Sequence, residues 1–420
     1  MSTVATGIGS VAPGSGPQTG RKGSHASETT ADAVVVGGGI GGLTAALALA
    51  RAGRSVRVLE RAAEFTEVGA GLQLAPNATR ELARLGVLDE VVARGVLPRR
   101  LVLRDALDAG VLTSREVGEE FRARYGGPYV VAHRSDLLDV LVGACAAAGV
   151  ALETGRTTVD VRQDAGGAEV ACADGSLHRA AAVVGADGLR SSLRARLSDD
   201  QPVSSGYVAY RGTVPADRAA AHVDPGDVTV FIGPGLHCVQ YALRAGEMVN
   251  TVAVFRSPGY LADPDDPDWG GPEELDQVFT GVCTPVREAL PLLWRDRRWQ
   301  MYDRDPIPRW VDGRLALLGD AAHPMLQYLA QGACQSIEDA VALADALSGP
   351  AGLPADVPAA LACYADTRRD RTARVQSTAR IWGEMWHVDG VARLLRNDLL
   401  RRLPTDHAEH LDWLYGPVQA

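Results

Sequence analysis

Lysine is all but missing from this sequence. Lys22 is the single example in 420 residues, and arginine carries the rest of the positive charge. Two reaction classes fall away. A pyridoxal enzyme needs a lysine for its Schiff base, and a Walker-type loop needs one beside the phosphates. The arginine bias itself reads as genomic base composition. Cysteine is scarce too. Cys145, Cys172, Cys238, Cys283, Cys334 and Cys363 are widely spread and form no CxxC. That pattern suits buried free thiols in a reducing compartment, so a cytoplasmic location is expected rather than a disulfide framework. No metal site is expected: His407 and His410 sit three apart but read as solvent-facing, without a metal signature. No apolar run has the length of a membrane span. Basic surplus is also absent. A net charge of −10 argues against nucleic acid as a partner, since phosphates are met by a basic surface.

What is present is a large apolar fraction, 46% of residues, on a chain too long for one compact core. Residues 1–31 are rich in Gly, Ser, Thr and Ala and lack the apolar core of a signal peptide, so they read as a disordered tail. The fold begins with the wholly apolar run Ala33-Val34-Val35-Val36, as expected for a strand inside a parallel sheet. A glycine turn, Gly37–Gly42, follows. An Ala/Leu-rich helix then runs to about Ala52, closed by Gly53, and Ser55–Glu60 reads as the next strand. Ser135 or Asp136 can cap a helix reaching about Ala148. Ala151–Asp164, Gly167–Ala173 and Ala180–Val184 alternate as a small meander. A second group of strands, Tyr207–Val214, Val228–Ile232, His237–Leu243 and Val249–Phe255, predicts a separate sheet. Ser257–Pro272 reads as a loop without regular structure. Arg314–Leu318 is a further strand, a helix runs from near Gly332 to Leu347, and the pattern from about Pro358 to Leu403 is helical.

The fold class is therefore α/β. A Rossmann-like dinucleotide-binding domain, discontinuous over 32–200 and 300–348, is interleaved with a substrate-binding sheet domain over 201–299 and followed by a C-terminal helical region over 349–420.

Gly37, Gly39 and Gly42 fit GxGxxG. The first glycine allows the tight turn, the second lets the backbone approach a pyrophosphate, and the third permits close packing. The helix N-terminus then offers free N–H groups to the anion. Glu60, at the end of the next strand, can accept hydrogen bonds from a ribose diol. No second GxGxxG follows a strand, so one dinucleotide is expected to be held permanently. Two later motifs bear on which one. Val184-Gly185-Ala186-Asp187-Gly188 and Gly319-Asp320-Ala321-Ala322-His323-Pro324 each place a carboxylate at a strand end, where it can bond a sugar or polyol hydroxyl. Taken singly, each Asp could equally be a helix cap or turn residue. The chain after Pro324 can aim backbone N–H groups at a flavin edge.

The glycine turn with Glu60, the Asp187-Gly188 segment and the GDAAHP segment together resemble the single-component flavoprotein aromatic hydroxylases, from about Ala33 to about Leu347. The resemblance implies bound FAD, reduced by NADH or NADPH without a nicotinamide domain, and O2 carried as a flavin C4a-hydroperoxide that hydroxylates an activated ring. It implies that Arg134 lies near the FAD pyrophosphate. The segments Ser205–Gly212, Gly233–His237 and His323–Gly332 are similar to those of 3-hydroxybenzoate 6-hydroxylases, which implies a small aromatic substrate and gentisate as product. Cys334-Gln335-Ser336 departs from the more apolar version of that family. Hydroxylases of salicylate or of an aminohydroxybenzoate remain alternatives, as does a flavin oxidase or dehydrogenase. A homodimer is compatible with the sequence.

The residue logic runs alongside. Oxygen transfer is faster to a phenolate, so a base with a near-neutral pKa beside the ring hydroxyl is useful. With a period of two, His237, Val239, Tyr241 and Leu243 share one strand face, so His237 and Tyr241 can look into one pocket. Gln327, in the loop after GDAAHP, can polarise the hydroxyl from the opposite side. The resemblance gives these three residues the same roles. His323 is expected to support the loop rather than move a proton.

Overall fold

The computed structural model describes residues 30–66, 70–219, 223–349, 352–404 and 409–417. Most of the expected tail and His407 lie outside these residues. The last two tail positions, Thr30 and Ala31, already belong to the first strand, Thr30–Val36, where they pair with Arg179 and Ala180. Register with a longer neighbour extends the strand beyond its apolar run.

The first sheet has eight strands. Its spine runs Val311–Asp312, Leu315–Leu317, Leu177–Gly185, Thr30–Val36, Val56–Leu59 and Ala151–Glu153 in spatial order. The inner pairings are parallel. Both faces are covered, and the central strands are buried accordingly. The helices Ile40–Arg51, Arg134–Ala147 and Gly332–Ala346 share this core. The first of these ends at Arg51, and Gly53 then turns in the left-handed region (φ +78°), as its position after an apolar helix predicts. The expected stretch Ala151–Asp164 is two strands, Ala151–Glu153 and Thr158–Asp164, with Gly155 at φ +68° between them.

The second sheet has seven strands in the order Trp299–Asp303, Val203–Pro215, Met248–Arg256, Leu236–Leu243, Asp227–Gly233, Arg100–Asp105 and Val111–Glu116. The sequence expectation assigns the last two to the dinucleotide-binding segment 32–200 and most of Trp299–Asp303 to the segment 300–348, whereas Trp299–Asp303 pairs with Val203–Pro215. The structure moves them to the second sheet, where Arg100–Asp105 pairs in parallel with Asp227–Gly233. Within Arg100–Asp105, Leu101, Val102 and Leu103 run consecutively between Arg100 and Arg104, so there is no polar–apolar alternation, and the parallel partner lies more than a hundred residues away. One face of this sheet buries Val208, Tyr210, Phe231, Leu236, Cys238 and Phe255 against Phe279, Val286 and Leu290. Those partners come from short helices after residue 257. The expected Ser257–Pro272 loop itself contains a helix, Pro258–Ala262, started by Ser257, whose hydroxyl accepts the Tyr260 N–H.

The C-terminal pattern resolves into helices Val357–Trp386 and Gly390–Arg402, broken at His387. Arg393 and Asn397 of the second helix both bond the fully buried carboxylate of Asp105, which fastens the helical region to the second sheet. Among the described residues no helix is long and apolar enough to cross a membrane.

Candidate active site

A cavity of about 820 Å³ runs from the glycine turn to the free face of the second sheet. At the first end it is lined by Gly39, Ile40 and Gly41, where the helix Ile40–Arg51 begins. That helix has neither a capping side chain nor an acid in its first turn, so its N–H groups stand toward the cavity. The glycines are sterically required. Gly37 has φ +110°, and a Cβ there would lie 2.3 Å from the Ala186 carbonyl oxygen. A Cβ on Gly42 would lie 2.0 Å from the oxygen of Gly37. Both clashes are with backbone, which cannot swing aside.

Glu60 sits behind this turn. Its carboxylate accepts the N–H of Gly38 at 2.7 Å and of Ala62 at 2.8 Å. One oxygen therefore braces the glycine turn and the other the chain just after Glu60, and two lone-pair positions are left over for a ribose. Asp187 does similar work. One oxygen accepts the Ser192 N–H at 2.8 Å, while the other, Oδ1, is buried without a partner among the described residues. Gly188 (φ +80°) and the exposed Asp320 line the cavity itself, as does Arg134. Gly37, Gly42, Glu60, Asp187 and Pro324 form its supporting layer. Pro324 is buried, and its carbonyl accepts the side chain of Gln376.

Arg134 opens the helix Arg134–Ala147 rather than preceding it. The cap position is His133, not Ser135 or Asp136 as expected. Ser135 is drawn to the His133 ring at 2.7 Å, and Asp136 to Arg244 at 2.8 Å. Competing partners won both side chains.

A second helix start faces the cavity beside Asp320. Gln331, Gly332, Ala333 and Ser336 line it, again without a capping side chain, and Gln331 Nε2 is buried with no partner among the described residues. Two uncapped helix starts, unpartnered buried donors and acceptors, and a turn only glycine can make fit an elongated dinucleotide such as FAD. Behind the second helix start, His323 Nε2 meets Asp339 at 2.5 Å, and Arg368 bonds Asp339 and Glu338, all buried. Burial works against the Asp339 charge, but His323 and Arg368 outweigh it and hold the carboxyl at about 2. His323 is thus a support of the loop, and it does not line the cavity.

The second sheet supplies the other wall. His237, Val239 and Tyr241 line it together, while Leu236 and Cys238 point into the opposite core, as the period-two reading requires. Leu101, Leu103, Ala209, Val228, Val230 and Val252 make the middle of this face apolar. Three polar side chains interrupt that middle, His237, Tyr241 and Arg211, while Thr113, Ser114, Arg115, Gln300 and Tyr302 line the cavity from the strands at the two edges of the sheet. The sequence places Arg211 in the segment Ser205–Gly212 but does not show which face of its strand it occupies. Its guanidinium lies 5.2 Å over the Trp299 ring, with Nη2 3.5 Å from Gln327 Oε1. Gln327 therefore enters the cavity from the loop side, as expected.

His237 is 1% exposed and its Nδ1 lies 2.9 Å from Nε2 of His387. Burial, with the neighbouring His387 ring, holds His237 well below its usual value. This corrects the expected near-neutral base: the imidazole stays uncharged. His387 is lowered to about 3, first by burial and then by Arg396. Burial also raises the Tyr241 phenol, so it remains a neutral donor. His387 lies 150 residues from His237, and no local spacing could have linked them.

The FAD binding domain family matches residues 30–379. The 3-hydroxybenzoate 6-hydroxylase of Polaromonas naphthalenivorans (strain CJ2) is 40% identical over 91% of this chain and 95% of its own length. The 3-amino-4-hydroxybenzoate 2-monooxygenase of Streptomyces cremeus is 37% identical over 91% of this chain and 94% of its own. Among solved structures, Klebsiella pneumoniae HpxO complexed with FAD and uric acid superposes with a TM-score of 0.78 at 28% identity, over 92% of this chain and 97% of that one.

Proposed function

This chain belongs to the single-component FAD-dependent aromatic hydroxylases, and from that premise we propose that it hydroxylates 3-hydroxybenzoate para to its hydroxyl group, giving gentisate, with NADH as reductant. The observation that carries the substrate is the sheet face itself. Over the strands Val203–Pro215, Asp227–Gly233, Leu236–Leu243 and Met248–Arg256 it is apolar except for one neutral base, one neutral phenol and one cation, with Thr113, Ser114, Arg115, Gln300 and Tyr302 on the strands that flank them. A flat ring bearing one hydroxyl and one carboxylate matches that inventory. His237 and Arg211 sit two strands and one residue pair apart, roughly 12 Å between backbones by ordinary strand spacing. Their side chains reach inward across that gap, so a benzoate-sized acid fits between them.

In this reading FAD is held by the backbone of Gly37–Gly42 with Glu60 behind it, by Arg134, by Asp187 and Gly188, and by Asp320 with the turn after Pro324. Once reduced, the bound flavin with O2 supplies an electrophilic oxygen atom. The chain's own work is to orient and activate the ring. Arg211 receives the carboxylate. His237 accepts the hydroxyl proton at Nε2, because Nδ1 is engaged by His387. Tyr241 donates to the oxygen that becomes negative, and Gln327 fixes the hydroxyl from the loop side. The apolar strands exclude water from the reacting atoms.

A second reading, an aminohydroxybenzoate as substrate, is favoured by the relatives bearing that name at 37–38% identity. A panel of phenolic acids with NADH and O2, scored by coupled product, separates the two. Gentisate formed nearly one for one with NADH is expected from 3-hydroxybenzoate. Reductant consumption that yields only peroxide would reject that assignment.

A further inference from the structure

The two histidines form a unit that the hydroxylation reading does not need in order to stand. His387 caps the long helix Val357–Trp386, and its carbonyl accepts the Gly235 N–H at 3.0 Å, which ties the ring to the turn before the His237 strand. Tyr207 stacks on it at 4.6 Å, and the His237 and His387 rings lie 23° apart. Trp386 and Tyr328 close the edges. His387 Nδ1 is buried with no partner among the described residues. The charged neighbours are Arg396, which faces His387 from the next helix, and Arg256 and Glu384, which flank Tyr207. Arg396 leans in turn on Asp105 and Arg393. Neither ring bonds a carboxylate among the described residues.

A buried imidazole with no carboxylate behind it resists becoming an imidazolium. Taken alone, His237 is then a poor proton acceptor. Resting on the hydroxylation reading above, we propose that His387 is a positioning residue that lets His237 take the substrate's proton by passing a different proton on, so that neither ring carries a lasting charge.

The hydrogen bond between the rings has two arrangements. In one, His237 Nδ1–H donates to His387 Nε2, the second proton of the pair is on His387 Nδ1, and His237 Nε2 carries a lone pair. In the other, His387 Nε2–H donates to His237 Nδ1, and His237 Nε2 bears a proton. Moving from the first to the second breaks the substrate O–H bond and forms N–H at His237 Nε2. It breaks N–H at His237 Nδ1 and forms N–H at His387 Nε2. It breaks N–H at His387 Nδ1, whose proton passes to a water molecule hydrogen-bonded to that otherwise unpartnered nitrogen. The sum is one proton from the phenol to water, leaving a phenolate that accepts from His237. The unpartnered Nδ1 is where that proton leaves.

The test uses holoenzyme and two substitutions. His387→Phe keeps the ring stack and removes both nitrogens. His387→Gln keeps a group that can hydrogen-bond His237 but cannot pass a proton through. Ionisation of bound 3-hydroxybenzoate is read from its ultraviolet spectrum across pH, beside product formation and flavin reduction. Both variants are expected to hold FAD and reduce it at the wild-type rate. Both should bind the phenol un-ionised near neutral pH and hydroxylate roughly 10- to 100-fold more slowly, recovering as pH rises. Wild-type ionisation and product in His387→Phe would overturn the proposal. Recovery of both in His387→Gln would also overturn it, leaving His387 as a hydrogen-bond prop. If wild type itself makes no gentisate, the substrate reading falls instead, and the same variants are scored with whichever phenolic acid gives coupled product.

Discussion

Arg211 is the cation that the central strands of the second sheet present beside Gln327. A charged hydrogen bond to a carboxylate contributes about 1.5–3 kcal/mol. Arg211→Leu is therefore expected to raise KM for the aromatic acid by roughly tenfold to a hundredfold, while the flavin spectrum stays unchanged. An unchanged KM would remove Arg211 from the site. Arg211→Lys keeps the charge but loses the planar fork over Trp299, so an intermediate KM is expected. The histidine pair makes a separate prediction about stability. Both rings have pKa values depressed by folding, that of His387 to about 3. Between about 6.5, the unfolded value, and the folded value, the unfolded chain binds more protons. Stability then falls as pH falls through that window, by up to about 1.4 kcal/mol per pH unit for each ring. Urea midpoints measured at pH about 7.5 and about 5 should show this loss. His387→Gln should remove a large share of it, and an unchanged pH slope in that variant would contradict the buried neutral pair.

At the scale of elements, the glycine turn, the four central strands of the second sheet and the helix after GDAAHP are readable because each is a local pattern with a steric or periodic cause. His237 and Tyr241 were placed on one face by counting in twos. The strands Arg100–Asp105 and Val111–Glu116 are not readable: the first pairs with a strand that begins at Asp227, more than a hundred residues later, and the second joins the sheet only through the first. Arg211 and His387 escaped for the same reason: their meaning lies in what the tertiary fold puts opposite them. The long helix Val357–Trp386 shows how such a contact overrides a local rule. Gly383 lies inside it, where glycine costs roughly 1 kcal/mol relative to alanine. A Cβ at that position would lie 2.4 Å from the Tyr328 ring. Tyr328 is buried in the turn Gln327–Leu329, so it has little room to yield. Overpacking of this kind costs about 1–3 kcal/mol, which exceeds the propensity gain. Gly383→Ala is expected to lower the thermal midpoint and to raise KM for the aromatic acid by shifting Gln327. A stabilised variant with wild-type KM would show that the turn is not held by this contact.

At the scale of the whole molecule, the cavity takes its walls from both sheets, the helix starts beside them and the C-terminal helices. The last of these contribute Leu411, Trp413, Leu414 and Tyr415. Their helix, Glu409–Tyr415, is held through its carbonyls. Arg371 donates to Trp413 and Leu414, and Arg80 to Tyr415 and Gly416. Asp412 takes Arg124 and Tyr125. Arg371 also bonds Glu338, one residue from the Asp339 that holds His323, so the chain end is joined to the support of the GDAAHP loop. A chain ending at Leu403 loses this wall but none of the glycine turn. Leu414 and Tyr415 are buried, and losing two such side chains costs about 3–6 kcal/mol. The truncated protein should unfold at a lower urea midpoint yet still bind FAD. Water then reaches the reacting atoms, and oxygen activated at the flavin is lost as peroxide before it meets the ring. The expected result is continued consumption of reductant with less hydroxylated product and more peroxide per equivalent. A truncated enzyme that keeps the wild-type ratio of product to reductant would mean that the two sheets alone exclude water.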